Sequence, residues 1–333
     1  MSTRTKAFLA VITGNTIFGF SFIFSKMALQ ITVPSVLIAV RFLAAFFVLS
    51  LIALVGPRIR VTRKENEVAG GGFEKPAGQT EIPTNALKTT AADSRPLVEF
   101  SLRSKPLRNV LLLALFQPIL YFLCESYGIV YTSSSFAGTI IAVIPIAGIV
   151  FDVIIMRSQV RARQVICAVL SALGVAITTI GAEGMRSSVL GLLILLGAVT
   201  SGALFYVFSK KSGDHFNALE QTWVMFAMGS VVYVIFALIQ CRGHYQEMIL
   251  DALGEPIFII AVLYLAVLSS VAAFICLNWG TVRISVSEAA LFANLTTVIS
   301  IFAGVVFLSE SFSLFQLCGA VIIIGSVYFA NRN

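Results

Sequence analysis

Ten runs of about 20 apolar residues follow one another along this chain, and the fold it can adopt is set by them. They fall near 7–28, 34–56, 106–126, 134–156, 163–181, 188–209, 219–240, 256–279, 285–308 and 312–330. A helix needs about 20 such residues to cross about 30 Å of hydrocarbon. Strands of a membrane barrel would instead alternate over segments of about 10 residues, and these runs are solid and too long for that. Only 12% of the residues are charged, against about 25% in soluble domains. The expectation is therefore an all-α integral membrane protein of about ten transmembrane helices. The first run has no small-residue cleavage site and leads into a second, so it reads as a retained helix and not as a signal peptide.

The net charge of +7 could point to nucleic acid in a soluble protein, but its distribution says otherwise. Arg4 and Lys6 precede the first run, and basic residues from Arg58 to Arg108 flank or fill the second connection. Arg157, Arg161 and Arg163, then Lys210 and Lys211, then Arg283 and Arg332 follow the fourth, sixth, eighth and tenth runs. All lie on one side of a ten-span zigzag. The other side holds Lys26, Arg186 and Arg242, with Glu247, Asp251 and Glu255 clustered there. The positive-inside rule then places both termini in the cytoplasm of a multi-pass cell-membrane protein. The partner is the lipid bilayer, with no nucleic acid; oligomeric state is not encoded.

Cys124, Cys167, Cys241, Cys276 and Cys318 form no CxxC pair, and His215 and His244 fall in loops on opposite sides, so no metal site is expected. No HExxH, P-loop or Ser-His-Asp arrangement stands out, and the expectation is a protein without cofactor or enzymatic chemistry.

The chain also repeats itself. "FLCESYGIVYTSSSFAG" lies without gaps over "FICLNWGTVRISVSEAA" from Phe274 to Ala290, so that Phe122, Cys124, Gly128, Ser133 and Ser135 meet Phe274, Cys276, Gly280, Ser285 and Ser287, an offset of 152. "FSK" at 24–26 meets "FSK" at 208–210 at an offset of 184. The difference is absorbed by residues 57–105, whose charge and Gly, Thr and Pro content read as a disordered cytoplasmic loop. The expected organisation is a first five-helix repeat over 1–56 and 106–181 and a second over 182–333. An odd number of spans inserts the second copy upside down, the geometry of alternating access. The serine tracts Ser133 to Ser135 and Ser285 to Ser287 fall at corresponding turns and read as helix caps and gate contacts.

With "GNTIFGFSFIFSK" (14–26), "VRFLAAF" (40–46), "ESYGIVYTSSSFAGTIIAVIPI" (125–146) and "FLSESFSLFQLCGAVIIIGSVYF" (307–329), the chain resembles the EamA family of the drug/metabolite transporter superfamily. The resemblance covers most of the chain and rests in the last stretch on Glu310, Gln316, Gly319 and Gly325. It implies ten helices as a five-plus-five inverted repeat and movement of small metabolites, amino acids among them, usually outward. Where the second half has Glu310 the first has Ser158, and the 57–105 loop is longer than the family's turn.

Several polar residues inside the runs are candidates for a substrate pathway. Arg41 lies about 10 Å below the outer surface, where a charge is costly unless paired or hydrated. It either binds a carboxylate or pairs with Glu125 in a cavity, or snorkels or packs against carbonyls. Gln117, Tyr121 and Glu125 share one helix face, as the wall of a water-filled path or as interhelical hydrogen bonds, and Glu125 is also close enough to the interface to be solvated. Asn15, Asn294 and Thr297 are candidates for substrate contact or for helix–helix bonding. Pro145 and Pro118 each free a carbonyl within a span, facing a cavity or marking a plain kink. Tyr206, with Phe18 and Phe22, is a candidate cavity wall, although lipid contact is the ordinary place for Phe. Asp152 reads as an interfacial acid or as half of an inner-gate ion pair with Arg157. The expected function is a secondary transporter, an exporter of small metabolites such as amino acids. The alternatives are a nucleotide-sugar or phosphosugar exchanger, disfavoured because such phosphates call for several buried cations and only Arg41 is available, and a membrane sensor or scaffold built on the long loop.

Overall fold

Among the described residues every regular element is helical. The computed structural model describes residues 2–55, 106–132, 134–178, 188–308 and 313–331; the expected loop over 57–105, Ser133, Arg186 and Glu310 lie outside them. Eight helices are long and apolar enough to cross a membrane: α1 (Thr3–Leu29), α2 (Pro34–Leu54), α3 (Arg108–Gly128), α4 (Ala137–Met156), α6 (Val189–Ser212), α7 (Ala218–Gln240), α8 (Pro256–Thr281) and α9 (Val286–Phe307). The remaining two, α5 (Ala162–Thr178) and α10 (Leu314–Ala330), are shorter apolar helices over their described residues. A short helical turn, Asp251–Gly254, precedes α8. This is a multi-pass membrane protein.

The helices start where local chemistry satisfies their free N–H groups. Ser188 caps α6 through the Gly191 N–H at 2.9 Å. Reciprocal capping boxes open α7, with Asn217 and Glu220, and α9, with Ser285 and Glu288. The cap expected at Ser285 is thus present. Pro256 opens α8, where its missing N–H costs nothing.

Four helices are irregular inside the apolar layer. In α3 the turn Leu115–Leu120 is widened, and Gln117 leaves helical geometry (φ −145, ψ 123) ahead of a cis bond to Pro118. In α4 the helix stops at Ile141 and restarts at Ile144, with Pro145 in the new first turn. In α8 the turns Tyr264–Ala272 are widened, and in α9 residues Phe292–Asn294 tighten into a 3-10 turn. These breaks come in two pairs. Gln117 and Ser269, like Ala142 and Asn294, are 152 residues apart, the offset at which the two sequence copies align.

Packing follows the same rule. The main helix contacts are α5 on α10, α2 on α7, α1 on α8, α3 on α6, α1 on α9 and α4 on α6. Exchanging α1–α5 for α6–α10 returns the same set. Gly128 of α3 is pressed against Leu195 of α6, and Gly280 of α8 against Val11 of α1. Gly128 and Gly280 are mates at offset 152, and Val11 and Leu195 are mates at offset 184. At the centre, Phe42, Phe205, Phe226 and Phe274 are fully buried and meet edge to face or tilted at centroid distances from 5.2 Å to 5.9 Å.

The close approach at Gly280 gives a direct expectation. A Cβ there would sit 2.5 Å from Val11 Cγ2 and 2.9 Å from the Ala7 carbonyl, and that carbonyl is backbone that cannot rotate aside. Gly280→Ala should destabilise the folded protein by about 1–3 kcal/mol, read as a lower melting temperature in detergent. Adding Val11→Ala should recover only part of the loss. An unchanged melting temperature in Gly280→Ala would contradict this contact.

Candidate functional site

Arg41 is 6% exposed and does not snorkel. Its Cα lies seven residues into α2, about 10 Å along the helix. Its Nε donates to Ser270 and its Nη2 to Ser269, both at 2.8 Å. Those serines lie 13 and 14 residues into α8, about 20 Å from the same end, so the guanidinium points toward mid-membrane. The widened turn of α8 presents both hydroxyls side by side. A guanidinium carries five N–H donors, and among the described residues three here have no protein partner, both of those on Nη1 included. Phe122 and Phe42 flank the cation at 5.4 Å and 5.6 Å from their ring centroids, a favourable place for a desolvated charge.

Tyr121 and Glu125 meet on α3, the Tyr121 hydroxyl donating to Glu125 Oε1 at 3.2 Å. Glu125 is part-buried and not simply solvated. Arg41 sits over Phe122, nearly one turn before Glu125 on α3, yet no ion pair joins it to Glu125 among the described residues. Tyr206 of α6 is 5% exposed. Gly202, one turn before Tyr206, admits the Tyr121 ring: a Cβ there would lie 3.3 Å from it. Gln117, one turn below Tyr121, is 9% exposed. Neither the Gln117 amide nor the Tyr206 hydroxyl makes a hydrogen bond among the described residues, and neither is sealed off. Unpaired polar groups this deep are costly without a ligand or water to meet them. Tyr233 of α7 closes the wall, donating to the Ile119 carbonyl at 2.8 Å.

The other candidates form a separate group. Asn294 donates to the Ala142 carbonyl at 3.1 Å and to Ser171 at 3.0 Å. It thereby fills the backbone acceptor left open where α4 breaks ahead of Pro145. Asn15 donates to the Val11 carbonyl at 2.8 Å and accepts from Thr296 at 3.2 Å, joining α1 to α9. Thr297 is partly buried, and its carbonyl accepts from Ser300. Structure thus gathers Arg41, Tyr121, Glu125 and Tyr206, with Gln117 a turn away, and leaves Asn15, Asn294, Thr297 and Pro145 in the α1–α4–α5–α9 contacts.

Two clusters were not legible as candidates, and a third, around Asp152, was legible without its partner. Ser269 and Ser270 could have been found by carrying Gln117 and Pro118 forward 152 residues. Asn278 of α8 is fully buried, donating to Thr222 at 3.0 Å and accepting from Ser209 at 2.8 Å. At the end of the molecule that holds the N-terminus, Asp152 is 1% exposed and accepts from the Ser287 N–H at 3.1 Å and hydroxyl at 2.6 Å. It is buried, and among the described residues it forms no ion pair with Arg157, whose left-handed backbone (φ 54) ends α4. Beside it Arg4 pairs with Glu288 at 2.6 Å, and Lys210 donates to the Ile284 carbonyl. A cavity of about 170 Å³ opens there, lined by Arg4, Asp152, Arg161, Arg163, Ser287 and Glu288 among others.

Comparison with known proteins follows from this geometry. The EamA-like transporter family matches residues 93–180 and 189–332. An uncharacterized transporter, YcxC, of Bacillus subtilis (strain 168) is 30% identical over 99% of this chain and 94% of its own length. The WAT1-related protein At1g25270 of Arabidopsis thaliana is 31% identical over 42% of this chain and 39% of its own. A crystal structure superposes with a TM-score of 0.68 at 16% identity, covering 99% of this chain and 97% of the other. At that identity the likeness speaks for the fold alone.

Proposed function

The chain belongs to the EamA-like transporter family, and on that premise we propose that it is a secondary transporter that exports small carboxylate-bearing metabolites, amino acids among them. Its two inverted five-helix halves, 1–56 with 106–181 and 182–333, would alternate access across the cytoplasmic membrane, with both termini in the cytoplasm. The observation that carries this reading is the pairing of two helix breaks, in α3 and α8, beside a buried cation. Broken helices near the membrane midplane supply unpaired backbone groups to a binding site in transporters of repeat architecture. Here the breaks of α3 and α8 are repeat mates, and Arg41 bridges from α2 to the second of them. Its three unspent N–H donors suit the two oxygens of a carboxylate. Gln117, Tyr121, Glu125 and Tyr206 would line the pathway beside it. Asn15, Pro145, Asn294 and Thr297 would hold the second pair of breaks in register. The inner end would be held by Asp152 on Ser287 and Arg4 on Glu288.

Counterflow tests it. Protein reconstituted in liposomes preloaded with an unlabelled carboxylic metabolite should take up the labelled form with saturation. If none of a broad panel of carboxylates and amino acids moved faster than in empty vesicles, the proposal would fail.

A further inference from the structure

The Arg41 site contains a second ionisable group whose place is not explained by anchoring a carboxylate. Glu125 sits part-buried on α3, held by the Tyr121 hydroxyl at 3.2 Å and out of contact with Arg41. The titratable groups around it are Arg41 from α2 and Tyr233 from α7, with Tyr121 and Cys124 on its own helix, and Tyr206 from α6 lies on the Tyr121 side. With Glu125 ionised, one cation and one carboxylate sum to zero. A substrate carboxylate that takes the free donors of Arg41 leaves one negative charge in excess inside the apolar layer. Charges there interact far more strongly than in water. One proton on Glu125 restores neutrality. Tyr121 serves both forms: its hydroxyl donates to the ionised carboxylate and accepts from the protonated one.

We propose that Glu125 is a proton-binding site and that its proton travels with a monocarboxylate bound at Arg41, making the protein a proton-coupled carrier. The inference rests on the transport reading of the Arg41 site. The proton is taken from water on the side where the carboxylate enters and returned to water where it leaves, and no other bond is made or broken. Linkage makes the effect reciprocal: substrate tightens proton binding by the factor by which the proton tightens substrate binding. Outward flux then draws on the metabolite's own gradient and carries a proton out with each carboxylate. A zwitterionic substrate would behave differently, because its ammonium group could take the proton's place beside Glu125.

Two near-isosteric probes separate these cases: radiolabelled L-glycerate and L-serine, which share one configuration and differ by a hydroxyl against an ammonium group. Full-length protein in liposomes, with the membrane potential clamped, should accumulate glycerate on the alkaline side of a pH gradient. A one-to-one coupling gives about tenfold accumulation per pH unit, and empty vesicles give the baseline. Glu125→Gln imitates the protonated form. It should still exchange glycerate, at a reduced rate, while its accumulation ratio falls to one. Tyr121→Phe should retain accumulation with slower approach to it. If the parent protein exchanges either probe but builds no glycerate ratio, Glu125 carries no proton and the transport reading stands. If neither probe moves, both readings fall together.

Discussion

Arg41→Ala should raise the half-saturation concentration for a transported carboxylate about 100-fold, close to 3 kcal/mol, while the purified protein stays folded and monodisperse. The two halves of this expectation have separate causes. The guanidinium spends two of its five donors on Ser270 and Ser269, so its orientation is fixed before any ligand arrives. Truncation therefore removes a pre-aimed, desolvated cation from the pathway. Folding does not depend on the same group. Removing a cation from the apolar layer relieves a cost of about 2.5–3.5 kcal/mol, and the freed serine hydroxyls can turn back to carbonyls of their own helix. Arg41→Lys should recover part of the affinity, since lysine keeps the charge but not the fork of donors. Ser269→Ala with Ser270→Ala should weaken binding less than Arg41→Ala, because the charge remains and only its aim is lost. Unchanged saturation in Arg41→Ala, measured by counterflow in liposomes, would remove Arg41 from the pathway.

The second large effect is expected at the opposite end of the molecule. Asp152→Ala should cost about 3 kcal/mol of stability, seen as a fall in melting temperature in detergent. Asp152 is buried to 1% and takes two hydrogen bonds from Ser287, one from the backbone and one from the hydroxyl. Hydrogen bonds to a charged acceptor contribute about 1.5–3 kcal/mol each, and the first turn of α9 adds the favourable end of its dipole. Asp152→Asn should lose less, because the amide oxygen can still accept both bonds. Ser287→Ala should fall between them, since the backbone N–H remains. Should Asp152→Ala melt with the parent protein, the contact between α4 and α9 would not be what holds this end together.

Reading the sequence located these parts unequally, for physical reasons. Apolar runs announce helices because lipid leaves the backbone no alternative, and all ten runs coincide with a helix. The repeat offset was legible because glycines and serines stand out in apolar sequence. It leads to the contacts Gly128 with Leu195 and Gly280 with Val11, since close approach of two helices tolerates no Cβ. Partners of buried charges were much less legible. Arg157 is five residues from Asp152, but the true partner, Ser287, is 135 residues away. Sequence distance favours the local pair, whereas the turn at Arg157 directs the chain away from it. Arg41 suffered likewise. Its natural partner by charge is Glu125, and it bonds instead to two serines that become adjacent only because α8 is widened over Tyr264–Ala272.

One helix crossing brings two backbones together with a glycine on each side. Where α5 crosses α10, a Cβ on Gly174 would lie 3.0 Å from the Gly319 carbonyl, and Gly319 in turn is set against the Gly174 carbonyl. Sliding one helix over another usually lets side chains trade rotamers, whereas here backbone meets backbone, with Ile323 and Thr178 packed alongside. Mechanically this makes α5 and α10 a fixed post. On the transport proposal, rocking between states would be distributed over α1–α4 and α6–α9, the helices that carry all four breaks, with the post as the frame against which those helices turn.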